Sequence, residues 1–520
     1  MNVSTRPAAE RPAAERPALR RLLALATIPL ALSLTACFSA AQAPSGTTGD
    51  ARVSVAHLQP PRSGLTPLSD DAFKLSRWAT AETLVVLDAE GNPLPGLATE
   101  WQRVDDKTWR LTIRPGVKFH NGHDLTAKAV VNSLQHAIDA KPLPRILDGV
   151  DMKVKADGDH VVITTGSSDP LLPNRLSSPQ LAILDLDAYQ GKTVSPVGTG
   201  TGPFELVKVD GIVGATLNRF EGYWGEKAKA GGIDVTFVPD GTARAAALRT
   251  GEAQVVEAIP VGQAATISPD LIAEVPMPRT NTLYLNTEKG PFKDPAVRAA
   301  AREALDTAAI VKQVYEGRAD VAQGLLGPAL PYAAGLRTEA AYTDILAKRP
   351  AAAKVNGVKI TLGTFTDRAE LPEVAVMVEQ ALEAAGFEVQ QDVREYQFIE
   401  ADALDGKFDA FILSRATVID SGDPVAYMAS DFGCKGGFAI SQLCDPDVEA
   451  ALKKASETDV GEARQRAIMA AEARILATDA AIPMLHERVI QGEVKGVVDA
   501  ARDPRERILI TNQTRFDAAQ

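Results

Sequence analysis

Alternation of apolar and polar positions marks the first clear elements. Trp109, Leu111 and Ile113 alternate with Thr108, Arg110, Thr112 and Arg114, the period of a half-buried strand. Asp105-Asp106-Lys107 is turn chemistry, so Glu100 to Val104 and Thr108 to Ile113 are expected to pair as a hairpin. Pro115-Gly116 turns the chain into a short strand over Val117 to His120, and Asn121-Gly122 turns it again. Thr126 or Asp124 then caps a helix with Val130, Val131, Leu134 and Ile138 on its apolar face.

The same reading places strands at Val53 to Leu58, in two runs about Asp157-Gly158, at Ala253 to Ile259 and at Asn281 to Asn286. Helices are expected over Ala72 to Val85, Thr242 to Gly251, and from Asp294-Pro295 through Val314 to a closing Gly317. Farther on, strands at Lys359 to Phe365, Phe387 to Val393 and Phe408 to Leu413 alternate with a helix over Pro372 to Ala385. A helix over Ala450 to Leu476 follows, and Ile482 to Leu485 leads the chain back. Strands alternating with helices imply a parallel, covered sheet.

At 520 residues the chain is long enough for two or three cores. A net charge of −12 with no Lys/Arg-rich block argues against nucleic acid as a partner. Arg16, Arg20 and Arg21 precede an apolar run from Leu22 to Ala36, too short for a membrane span and suited to a signal peptide.

The string LATEW…DDKTWRLTIRPGVKFHNG…LTAKAVVNSL resembles the signature of the family 5 extracellular solute-binding proteins, the peptide- and nickel-type receptors of ABC importers. SPVGTGTGPF, NRFEGYWGEKAKAGGIDVTFVPD and LNTEKGPFKDPAVRAAAREALD continue the resemblance, which spans nearly all of residues 51–520. It implies an α/β fold of two lobes, periplasmic-binding-protein-like, with an extra subdomain and a hinge. Lobe I would take 51–85, 200–285 and 485–520, the extra subdomain 86–199, and lobe II 286–484. Gly198, Gly200 and Gly202 then punctuate the backbone where the chain crosses between lobes. A phosphate loop would need a following Lys-Ser/Thr pair, which is missing.

Leu34-Thr35-Ala36-Cys37 resembles the bacterial lipoprotein box. On that resemblance residues 1–36 are a cleaved signal, Cys37 carries lipid on the outer face of the membrane, and 37–50 form a flexible tether. The plainer alternative is a secretory signal with an incidental cysteine. In an exported chain the remaining pair, Cys434 and Cys444, is most simply a disulfide, with a two-thiol metal site as the alternative.

Ligands of open α/β sheets sit at the carboxyl ends of strands, which directs attention to the stretches 364–368 and 414–424. Peptide receptors of the family carry an aspartate four residues before a proline in the second loop, where it holds the peptide ammonium. Asp420 matches that position before Pro424, and Arg368 falls near the arginine that meets the peptide carboxylate. Arg415 is a second arginine in reach, and Thr417 stands where the family has tryptophan, which implies a different side-chain pocket. For each of these the plain alternative is a structural loop residue.

His120 and His123 form the only close histidine pair. His120 belongs to the family's structural turn, no helical metal spacing occurs, and His486 reads as packed or solvated, so no metal site or cofactor is expected. Neither a Gly-x-Ser-x-Gly elbow nor His-Glu-x-x-His is present, which argues against an enzyme. The expected protein is a monomeric, non-enzymatic receptor that closes on a peptide and delivers it to a permease. A nickel chelate, metallophore or sugar is the alternative cargo. A surface hydrolase or adhesion protein is the remote one.

Overall fold

The structure, a computed structural model, describes residues 51–88, 91–191, 193–417 and 420–518. The expected signal, Cys37 and the tether lie outside the described residues. Among the described residues no helix is long and apolar enough to cross a membrane.

One large mixed sheet runs through the molecule. From one edge its strands are Phe387–Arg394, Val358–Phe365, Ala410–Ala416, Ile272–Leu285, Ala481–Glu493, Val255–Ile259, Arg52–His57, Gly232–Phe237, Gly214–Arg219 and Phe204–Asp210; Ala319–Val321 also pairs with Ala481–Glu493. Pairing is parallel on both sides of Val358–Phe365 and on both sides of Arg52–His57. Between these two parallel zones, Ile272–Leu285 and Ala481–Glu493 lie antiparallel along most of their length.

Those two strands extend well beyond the expected segments. Pro276 and Pro278 interrupt the alternation on one, and the ladder slips register between Pro276 and Thr280. Polar residues along the other, among them His486, Glu487 and Gln491, are nonetheless buried, so hydropathy hid its length.

The expected hairpin is Ala98–Arg103 with Thr108–Ile113, which joins His160–Thr165 and Met152–Asp157 in a separate antiparallel sheet. The helix Ala127–Asp139 packs on it. The Thr126 hydroxyl accepts from the Ala129 N–H at 3.2 Å, and Val130, Leu134 and Ala137 are buried. Val117 to His120 forms a turn with a single bridge from Lys118 to Asp124, not a strand.

Two expected helices are broken by local chemistry. Asp294 caps Pro295–Ala304, and Asp306 then caps a second helix, Thr307–Gln313. Pro446–Glu457 and Glu462–Ala477 are separated at Gly461, whose φ of 131° no β-carbon tolerates well. The first helix is only Ala72–Arg77, with Ala79 left-handed just after it.

Apolar side chains gather in three main cores. One surrounds the parallel zone at Val358–Phe365 with Leu283, Phe411 and Ile475; one fills the small sheet with Trp109, Leu111 and Val130; one lies under Arg52–His57 with Trp78, Leu217 and Ile510. Gly200 and Gly202 press against the backbone, where a β-carbon would stand 2.1 Å from the Thr80 and Ala79 carbonyl oxygens respectively. Cys434 and Cys444 are joined by a disulfide with an S–S distance of 2.09 Å.

Candidate functional site

The long antiparallel strands carry Met277, Arg279, Val489 and Gln491 to the floor of a cavity of about 220 Å³. Ser414, Arg415, Phe365 and Arg368 enter from the carboxyl ends of the neighbouring parallel strands. Opposite them stand Lys74 and Arg77 of the helix Ala72–Arg77, Glu257 of Val255–Ile259, and Arg62 of the loop after Arg52–His57. Arg145 comes from the body built on the small sheet, and Asp503, Glu506, Ile508 and Leu509 come from the C-terminal segment. A second chamber of about 210 Å³ shares Leu58, Ala258, Arg368 and Val489 with the first, so Arg368 stands in the wall between them.

Charge dominates the cavity wall. Seven basic side chains face four acidic ones: Arg62, Lys74, Arg77, Arg145, Arg279, Arg368 and Arg415 against Asp70, Glu257, Asp503 and Glu506. Most of the bases are oriented by carboxylates. Arg415 donates Nε and Nη2 to Asp431 at 2.8 and 2.6 Å, and its guanidinium lies 4.1 Å from the Phe438 ring centroid. Burial works against the charged form of Arg415, but Asp431 more than offsets it and raises the pKa. Arg368 donates to Glu487 at 3.1 Å; burial opposes its charge, and Glu487 with Glu506 prevails. Arg77 bridges Glu257 and Glu506 at 2.5 and 3.2 Å, and Arg279 also meets Glu506, with Nη2 at 3.0 Å.

Burial would raise the Glu257 pKa, yet His57 at 2.7 Å and Arg77 bring it well below the usual carboxylate value. Arg62 is the exception among the bases. Its guanidinium carbon is 5.5 Å from the Tyr396 ring centroid, and no carboxylate among the described residues lies within ion-pair distance. Ser414 also lines the cavity, with a buried hydroxyl that has no hydrogen-bond partner among the described residues.

The four residues singled out in the sequence divide two and two. Arg368 and Arg415 line the cavity; Asp420 and Thr417 do not. Both Asp420 oxygens accept from Arg145, Nε at 2.8 Å and Nη2 at 2.9 Å, so the carboxylate expected to meet an ammonium already holds a guanidinium. Thr417 is buried and donates its hydroxyl to the Pro278 carbonyl at 2.9 Å.

The histidines lie elsewhere. His120 is buried with Nε2 2.9 Å from the Gly202 carbonyl, and burial pushes its pKa down to about 4. His486 is buried beside Thr280, also at about 4. His123 lies near Asp185 and Asp187 outside the cavity, and the Asn121 amide donates to both carboxylates at 2.8 and 3.2 Å.

Sequence reasoning missed Arg62, Arg145, Arg279 and Glu506, which come singly from remote segments. It also missed Glu82. That carboxylate is held by Thr201, Tyr223 and Trp224 at 2.8–3.0 Å, and burial raises its pKa. A hydropathy pattern has no signal for either case. Only the turn that presents Arg145, Lys141-Pro-Leu-Pro-Arg145, gave a local hint of a built loop.

Two parallel-stranded zones joined by long crossing strands, with a charged cavity where they meet, define a two-lobed α/β architecture with a ligand-sized cleft. Residues 92–439 match the family model for bacterial extracellular solute-binding proteins, family 5, middle region, and the chain belongs to that family.

Among its relatives is the nickel-binding protein NikA of Staphylococcus aureus, 27% identical over 346 residues, which cover 65% of this chain and 69% of the relative. The solved structure of Staphylococcus aureus NikA with Ni(L-His)2 superposes with a TM-score of 0.76 at 21% identity, covering 90% of this chain and 100% of that one. DppA of Helicobacter pylori, solved with the peptide STSA, gives a TM-score of 0.74 at 21% identity, covering 90% and 98%. The chain is accordingly an extracytoplasmic solute-binding protein, of the class that serves ABC importers.

Proposed function

We propose that the cargo is a small solute carrying one or more carboxylates, a peptide in the first instance and a metal chelate in the second. The observation that carries this is the excess of basic over acidic side chains among the described residues that line the cavity. Arg62 has no carboxylate within ion-pair distance among the described residues, and Arg368 and Arg415 each keep guanidinium N–H groups beyond those given to Glu487 and Asp431. A carboxylate entering between them replaces water by charge-assisted hydrogen bonds in a half-enclosed space. Cavities of about 220 and 210 Å³ suit a small molecule and not a folded partner. The relatives support both cargo classes, since one was solved with a nickel–histidine complex and another with a peptide.

In this reading the two lobes close on cargo about the long strands Ile272–Leu285 and Ala481–Glu493, and the closed form is presented to a membrane permease. The protein works as a monomer and does no chemistry on its cargo. Lipid on Cys37 holds it at the outer face of the membrane, two acyl chains being needed for stable anchoring.

Isothermal titration of the purified chain tests the cargo class, using di- to tetrapeptides, a nickel–histidine complex and a neutral disaccharide. Binding of a carboxylate-bearing solute, weakened about tenfold or more by Arg62→Gln, is expected, because a charge-assisted hydrogen bond contributes roughly 1.5–3 kcal/mol. Preference for the disaccharide, or indifference to Arg62→Gln, would remove the electrostatic basis of the proposal.

A further inference from the structure

We propose that Arg145 and Asp420 form a clasp that holds the cleft shut through the protein's own charges, rather than through a charge brought by the cargo. The inference rests on the lobe closure proposed above and adds to it the source of the closing energy.

The two residues belong to different bodies. Arg145 is followed at once by Ile146 and Leu147, both buried in the core of the small sheet. Asp420 precedes the helix Val425–Phe432, whose Val425, Tyr427 and Met428 are buried in the core around Phe411. The bond between them is bidentate and well shielded, with side-chain exposures of 17% and 8%.

The neighbouring residues repeat the pattern. Asn174 donates to the Gly91 carbonyl at 2.9 Å and to the Ser421 carbonyl at 3.4 Å. A β-carbon on Gly422 would stand 3.7 Å from the Gly91 Cα, so the two backbones nearly touch. Loop residues 420–422 are thus gripped by Arg145, Asn174 and Gly91, all from the body built on the small sheet. Nη1 of Arg145 adds Asp70 at 3.1 Å, beside the helix Ala72–Arg77.

Polar groups make a reversible clasp where an apolar seam would not. Every group in this grip can exchange its partner for water when the cleft opens. Shielding makes the pair matter more than a surface ion pair, because removing one member leaves the other's charge buried and unpaired in the shut form. The arrangement also bears on cargo choice. A cargo amine could take Asp420 only by displacing a two-pronged guanidinium, the stronger geometry, so cargo recognition falls to the basic wall.

Amide hydrogen exchange on the full chain, first freed of any retained solute by unfolding and refolding, reads the clasp directly at residues 420–424 and 91–95, without solute and with a saturating tetrapeptide or nickel–histidine complex. Asp420→Asn and Arg145→Met should each speed exchange there about tenfold or more without solute, given the penalty for an unpaired buried charge. The amides of Ile272–Leu285 should stay unchanged, showing that the fold is intact. The exchanged pair Arg145→Asp with Asp420→Arg should restore protection.

Unchanged exchange in both single variants, or an exchanged pair as unprotected as either one, would overturn the clasp while leaving closure on cargo intact. Protection at the lips that neither solute nor substitution alters would overturn the closure itself, and the clasp with it.

Discussion

Replacing Arg415 by leucine removes the guanidinium from a pair whose other member, Asp431, is fully buried. Among the described residues, Asp431 then keeps a long contact from the Tyr284 hydroxyl, at 3.5 Å. Breaking a buried pair by deleting one partner costs roughly 3–5 kcal/mol. Loss of the contact with Phe438 adds about 0.5–1 kcal/mol. Burial already raises the Asp431 pKa above its ordinary value even with Arg415 present. Without Arg415 the folded protein binds that proton up to a still higher pH, while the unfolded chain releases it near the ordinary value. The penalty therefore grows as pH rises above the unfolded value, and it is smaller at pH 5 than at pH 8. Urea unfolding of wild type, Arg415→Leu and the double variant Arg415→Leu with Asp431→Leu measures it. The double variant should recover most of the loss, since two apolar groups replace the pair. In that refolded background, affinity for carboxylate cargo should still fall about tenfold or more, which separates the binding role from the structural one. A loss under about 1 kcal/mol, the range of a solvated pair, or no recovery in the double variant, would refute the reasoning.

His120 and His486 both have pKa values lowered to about 4 by burial, so each contributes stability that is fully present above its ordinary value of 6.5. That contribution is lost as pH falls from 6.5 toward 4, about 3 kcal/mol for each histidine. Unfolding curves between pH 4 and 7 should show the decline, and His120→Gln should flatten part of it; an unchanged slope would contradict the burial argument. Cys434→Ser opens a loop of sequence separation 10 and should cost about 3 kcal/mol in the chain-entropy treatment, read as a lower urea midpoint.

Elements whose pattern is local could be read from the sequence. The hairpin across Asp105-Asp106-Lys107 and the helix capped by Thr126 follow from residues within a few positions of one another. The central strands could not be read in full, because Pro276 and Pro278 break the alternation and buried polar residues in 481–493 resemble a solvated segment. Helix breaks at Asp306 and Gly461 were written in cap and turn residues that helical periodicity ran across.

The site divides in the same way. Arg368 and Arg415 were found because they follow strands, where ligands of such sheets collect. Arg62, Arg145, Arg279 and Glu506 meet only after four remote segments fold together. The bond from Arg145 to Asp420 spans 275 positions, so the role expected of the aspartate could not be weighed against its partner. Thr417, which stands where the family has tryptophan, packs on Pro278 because the strand ladder between 272–285 and 410–416 brings them together.

Native mass spectrometry of the chain as purified, with no solute added, identifies the cargo itself. A retained small molecule bearing carboxylate groups is expected, either a set of peptide masses or a single metal-containing adduct, and it should be lost on Arg62→Gln. A retained neutral solute, or an anionic one indifferent to Arg62→Gln, would contradict the claim that the basic wall selects the cargo.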